Sequence, residues 1–129
     1  MLTTNNFTRS EAVAIMAIVA GTSAADMQVV PQELNFINNL MHLFNIDEGE
    51  KQRFQTMHAN VAAPIISAMS FEKKQLVSCL LTVGVAADGR INTMEEQYIR
   101  FVSSQCNLPI ETSVDKAFKV AEQFFAASM

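Results

Sequence analysis

Five carboxylates carry the most specific spacing in this sequence. Asp26 and Glu33 recur 62 residues later as Asp88 and Glu95, with Glu96 beside the last. The sharpest stretch is Ala87-Asp88-Gly89-Arg90-Ile91-Asn92-Thr93-Met94-Glu95-Glu96. DGxIxxxE is the second half of an EF-hand loop, where calcium gathers roughly six to eight oxygens. With Gly89 at loop position 6, Asp88 stands at position 5, Asn92 at 9 and Glu95 at 12. Positions 1 and 3 then fall on Gly84 and Ala86, which offer no side-chain oxygen, and Met27 replaces the glycine in the first copy. The complete loop is therefore not written here. What remains is a partial oxygen set that could hold a divalent cation weakly. The same residues admit a purely structural use. Glu33 and Glu95 fall at the third position of predicted helices, where a carboxylate caps backbone N–H groups and meets the positive helix end. Asp88-Gly89 also reads as a plain turn.

Other chemistry is sparse. Cys79 and Cys106 form no CxxC or zinc-type spacing and sit in apolar helical patterns, so they read as buried, reduced thiols. His42 and His58 lie on different predicted helices with no Cys or Asp partner pattern. GxSxG, HExxH, P-loop and dinucleotide fingerprints are absent. Nine basic residues against a net charge of −4 exclude a general phosphate-binding surface, and no nucleic-acid partner is expected. Lys73-Lys74 reads as a solvated helix start, and Asp115 with Lys116 and Lys119 as surface pairing on the last helix.

The elements that must position these groups are helical. With 129 residues, half of them hydrophobic, the chain is long enough for one domain, 1–129, around a real core. Four glycines and three prolines are too few for a loop-rich fold. Thr8-x-x-Glu11 is a capping box that opens an apolar helix to about Ala25. Its run Ala12–Ala20 mimics a signal-peptide core, but it is far short of the roughly 20 residues a membrane span needs. A counterpart at Leu76–Leu81 makes it a core helix, and no transmembrane segment is expected. Pro31 begins a helix carrying Leu34, Ile37, Leu40, Met41 and Phe44, which Asn45 ends in a left-handed turn. Asp47-x-x-Glu50 opens another, and Pro64 is read as the start of a short helical piece. Ser70 caps a second apolar helix, Phe71 to about Ala87. Asn92-x-x-Glu95 opens the next, and a final helix carries Phe118, Phe124 and Phe125 as a stripe suited to self-association or to closing the core. No segment shows strand alternation. The expected class is all-α, with about six to seven helices.

These helices repeat. At an offset of 62, Ala24-Ala25-Asp26 falls on Ala86-Ala87-Asp88, Glu33 on Glu95, Ile37 on Ile99 and Asn45 on Asn107. Phe36 meets Tyr98 and Ile46 meets Leu108. Two copies are too few for a solenoid, so the pattern predicts an internally duplicated helical bundle.

An apolar helix ending in AADG, an aliphatic two residues on, then Glu and a new helix, resembles the tellurite-resistance TerB family and its TerB-like relatives. The resemblance spans about residues 16–107 and is sharpest over 86–99. It implies an all-helical, cytoplasmic domain linked to chemical stress, with an acidic surface for divalent cations. On this chain that surface would comprise Asp88, Glu95, Glu96, Asp26 and Glu33. The expected function is a non-enzymatic binding or scaffold module with a protein partner, or a homo-oligomer, tuned by weakly held calcium or magnesium. The alternatives are a dedicated calcium or divalent-metal-binding protein and a metal-assisted hydrolase. A deep pocket holding a perturbed acid would favour the last.

Overall fold

Three helices begin with the same reciprocal cap. Thr8 Oγ1 accepts from the Glu11 amide at 3.1 Å while the Thr8 amide donates to Glu11 Oε1 at 2.8 Å. Asp47 with Glu50, and Asn92 with Glu95, repeat the device. Each satisfies two backbone donors that a helix start leaves unpaired.

The computed structural model describes residues 2–21, 31–86, 91–111 and 113–129, and the backbone alone at 31–33. Among them are a 3-10 turn at Thr4–Asn6 and seven α-helices. These are α1 (Arg9–Ala20), α2 (Pro31–Leu43), α3 (Glu48–Thr56), α4 (Ala59–Ser67), α5 (Phe71–Val85), α6 (Thr93–Cys106) and α7 (Val114–Ser128). No strand occurs among the described residues. The fold class is all-α, as expected, and no described helix is long and apolar enough to cross a membrane.

The two apolar helices are central. Ala12 through Met16, with Ile18 and Val19, are buried on α1, and Leu76 through Val85 on α5. The two helices pack on each other. α4 and α3 cover α1, α7 covers α5, and α6 packs on α4. The C-terminal aromatic stripe turns inward. Phe124 packs against Phe7 and Phe44 with ring centroids 6.1 and 5.9 Å away, and Phe125 lies 6.1 Å from Phe36. This stripe closes the core.

The duplication is visible in local geometry. The caps Thr8 and Ser70 stand 62 residues apart. So do Asn45 and Asn107, the described non-glycine residues with positive φ, at 53° and 55°. Each Asn ends its helix with the same closing bond. The Ile46 amide reaches Met41 O at 3.0 Å, and the Leu108 amide reaches Ser103 O at 2.9 Å. Lys73 Nζ donates to Glu11 Oε1 at 3.1 Å, and these residues are also 62 apart. This ion pair joins equivalent positions of the sequence repeat across α1 and α5.

Two elements depart from expectation. Pro64 lies inside α4, not at its start. The N-cap of α4 is His58, whose side chain caps nothing, so no local signal marks that helix's beginning. The halves also differ: the first carries α3 and α4, broken at Met57, where the second carries the single helix α7.

Candidate functional site

The described carboxylates of the repeated motif are engaged at helix starts. Glu95 is 4% exposed, and its Oε1 accepts from the Asn92 amide at 2.9 Å while its own amide donates to Asn92 Oδ1 at 2.8 Å. Glu96, one residue on, is exposed and pairs with Arg100 at 3.1 Å across one turn of α6. Glu33 is the third residue of α2, as Glu95 is of α6, but its side chain lies outside the described residues. Asp26 and Asp88 lie outside them altogether. The EF-hand register places its first ligand position at Gly84, still within α5. Among the described residues no group of three His, Cys, Asp or Glu side chains could hold a metal ion.

Three polar constellations join distant elements. Arg9 donates through Nε and Nη2 to the Glu50 carboxylate, at 2.8 and 2.5 Å, and to the Phe44 and Asn45 carbonyls at 2.8 and 3.0 Å. One guanidinium thereby ties the start of α1 to the end of α2 and the cap of α3. The bond to Arg9 outweighs burial and holds the Glu50 carboxyl down at about 2. In the second constellation burial pushes the Glu11 carboxyl up, but the Thr8 amide and Lys73 outweigh it and keep it below its ordinary value. Lys73 is not a solvated start: its ammonium also lies 5.0 Å from the centroid of the Phe7 ring. In the third, the Tyr98 hydroxyl donates to Ile18 O at 2.8 Å, beside Gly21. Burial pushes that phenol up to about 12.

The thiols are not activated. Burial raises Cys79, and the charge of Glu111 adds to it; burial alone raises Cys106 to about 11. A thiol held protonated is a poor nucleophile at neutral pH.

A concavity lies elsewhere, between α5 and α7. After α6 the chain runs along α5 as an irregular strap over Pro109–Glu111. Ser78 Oγ donates to Pro109 O at 2.6 Å, and Thr82 Oγ1, one turn further along α5, donates to Glu111 O at 3.0 Å. These two hydroxyls fix the strap. Beside it opens a cavity of about 380 Å³ with Leu76, Cys79, Val120 and Phe124 in its walls and Glu72, Gln75 and Gln123 at its polar rim. Lys116 borders it and pairs with Glu111 at 3.2 Å, not with a neighbour on α7. No sequence motif announces this cavity. Gln75 was the available signal, a polar residue at the repeat position where the first half has Val13.

No protein-family model and no curated protein matches the chain. The fold is similar to the crystal structure of a protein of unknown function from Porphyromonas gingivalis W83. The TM-score is 0.76, with 25% identity over 95% of this chain and 92% of that one.

Proposed function

We propose that the chain is a non-enzymatic binding module of the TerB-like kind. It works in the cytoplasm on a protein partner, and a divalent cation, calcium or magnesium, tunes it in a chemical-stress response. The observation that carries the binding role is the cavity between α5 and α7. Its volume of about 380 Å³ falls within the range of roughly 300–1,000 Å³ usual for ligand sites, with apolar walls and a polar rim. The engagement of Glu11, Glu50 and Glu95 in tying helix starts supports a module that holds its shape and works through contact. The tie to the TerB-like family rests on the signature at 86–99 and on the duplicated helical arrangement. The cation would sit at the turn carrying Asp88, Glu95 and Glu96. It would share Glu95 with its helix cap and Glu96 with Arg100, so this reading implies modest affinity.

The test is photocrosslinking in living cells. A photoreactive residue at Gln75 or Gln123, on the cavity rim, should give discrete adducts with another protein under ultraviolet light. The same residue at exposed Gln55 on α3 should not. Equal adducts at all three positions, or none at any, would refute the reading.

A further inference from the structure

The two halves of the chain differ most where α3 lies. In the first half α3 packs on α1, and its Phe54 is 5% exposed within the core. Adding 62 carries Phe54 onto Lys116 and the start of α3 onto Ile110. There the second half has the strap and the first turn of α7. Ile110 and Glu111 belong to the strap, the next helix begins at Val114, and Lys116 leaves 63% of its side chain in water. The central helices register the difference. Val13 on α1 is fully buried, whereas its counterpart Gln75 on α5 is exposed at the rim of the cavity. The cavity thus stands beside Lys116, which leaves unfilled the place that corresponds to Phe54 of α3.

We propose that this cavity is the docking site for an amphipathic helix of a partner protein, which inserts an aromatic side chain between Leu76 and Phe124 and sets a basic residue against Glu72. This names the partner class for the binding-module reading and rests on it. The chain supplies the template, since α3 joins a buried Phe54 to Lys51 and Arg53 on one short helix. The charges fit: Glu72, Gln75 and Gln123 make no side-chain hydrogen bond or ion pair with a described residue, so the rim offers an unpaired acid and two amides. The walls are ready, because Ser78 and Thr82 already hold the strap and a partner need not order it.

The probe is a hydrocarbon-stapled peptide of residues 46–58, in which the helix is enforced, titrated into the full chain and followed by NMR. Shifts should concentrate on Gln75, Cys79, Val120 and Gln123, with a Kd on the order of 100 µM or tighter. Phe54→Ala in the peptide should weaken binding at least about tenfold. In the protein, Lys116→Phe, which fills the cavity from within, should abolish the shifts. Glu72→Lys, on the exposed first turn of α5, should weaken binding several-fold without touching the core. Resonances unmoved at about 1 mM peptide, or moved equally without Phe54, overturn the proposal. Unchanged affinity in both protein variants does the same. Broadening of these resonances with protein concentration alone would make a second copy the occupant, with exposed Phe101 as its anchor, and would also overturn it. Crosslinks at Gln75 and Gln123 alongside a failed peptide would dismiss the helix and leave the binding module standing.

Discussion

Replacing Arg9 by methionine should cost about 2 kcal/mol at neutral pH, and the cost should fade in acid. Methionine keeps an unbranched apolar stem, so the change isolates the guanidinium. Arg9 makes four hydrogen bonds, two to Glu50 and one each to the Phe44 and Asn45 carbonyls. Glu50 is held at about 2 against an ordinary 4.5. At roughly 1.36 kcal/mol per pH unit, that difference corresponds to about 3.4 kcal/mol of preference for the charged form. Arg9 keeps 53% of its side chain in water, while Glu50 keeps 10%. Solvent screens the exposed end, which brings the expected loss to about 2 kcal/mol. The sign follows from the direction of the shift. A carboxyl depressed in the folded state stabilises the fold fully above its unfolded value of 4.5 and loses that contribution as pH falls toward about 2. Urea unfolding followed by circular dichroism reads this directly. The midpoint should drop by about 1 M near pH 7, given a slope of about 2 kcal/mol/M, and by much less near pH 2.5. Equal drops at both pH values would mean that the loss is one of packing. A drop under about 0.3 M at neutral pH would mean that the clasp contributes nothing beyond an ordinary surface pair.

Gly21→Ala should destabilise by about 1–3 kcal/mol, because a Cβ there collides with the Tyr98 hydroxyl. Adding Tyr98→Phe should recover part of that loss, and strict additivity in the thermal midpoints would contradict the contact. Phe124→Ser should lower stability by about 3–5 kcal/mol without changing the oligomeric state by light scattering, since Phe124 is 2% exposed inside an aromatic cluster. A lowered molar mass with stability intact would instead place Phe124 at an interface. Calorimetry with calcium or magnesium chloride should give weak heat for the native chain and none for Asp88→Asn/Glu95→Gln. Identical traces would reduce the motif to helix capping.

What could be read from the sequence was local. The boxes Thr8–Glu11, Asp47–Glu50 and Asn92–Glu95 each close within four residues, and a side chain must reach only a neighbouring amide. Asn45 was readable as a left-handed cap for the same reason. The apolar faces of α1 and α5 named the core, because a helix apolar nearly all round must be covered on every side. Helix α4 escaped because its start has no capping side chain, and Pro64 offered a misleading one. The clasp between Arg9 and Glu50 spans 41 residues, and no spacing rule reaches that far. Lys73 looked solvated because its partners, Glu11 and Phe7, lie on the other half of the repeat. Of the five acids read as a cation surface, Glu95 and Glu96 have described side chains, and a cap and an i,i+4 ion pair hold them. The cavity was the hardest feature to foresee, because it arises where the buried Phe54 of one copy is matched by a largely exposed Lys116 in the other.

Duplication within one chain also permits what two identical subunits cannot have. At the axis of a symmetric pair, each residue meets its own copy, so an acid would face an acid and repel it. Here Glu11 faces Lys73, its counterpart in the sequence repeat, and the two attract. The same freedom extends to the outer layer. The first half carries α3, clasped by Arg9, and presents a finished surface over α1. The second half replaces it with a strap held by two hydroxyls and the first turn of α7, and leaves a cavity beside α5. Val77, Leu80 and Leu81 stay buried on α5, so that opening leaves the centre of the core intact. A surface that is complete in one copy and open in the other, over a shared core, is where recognition can change without disturbing folding.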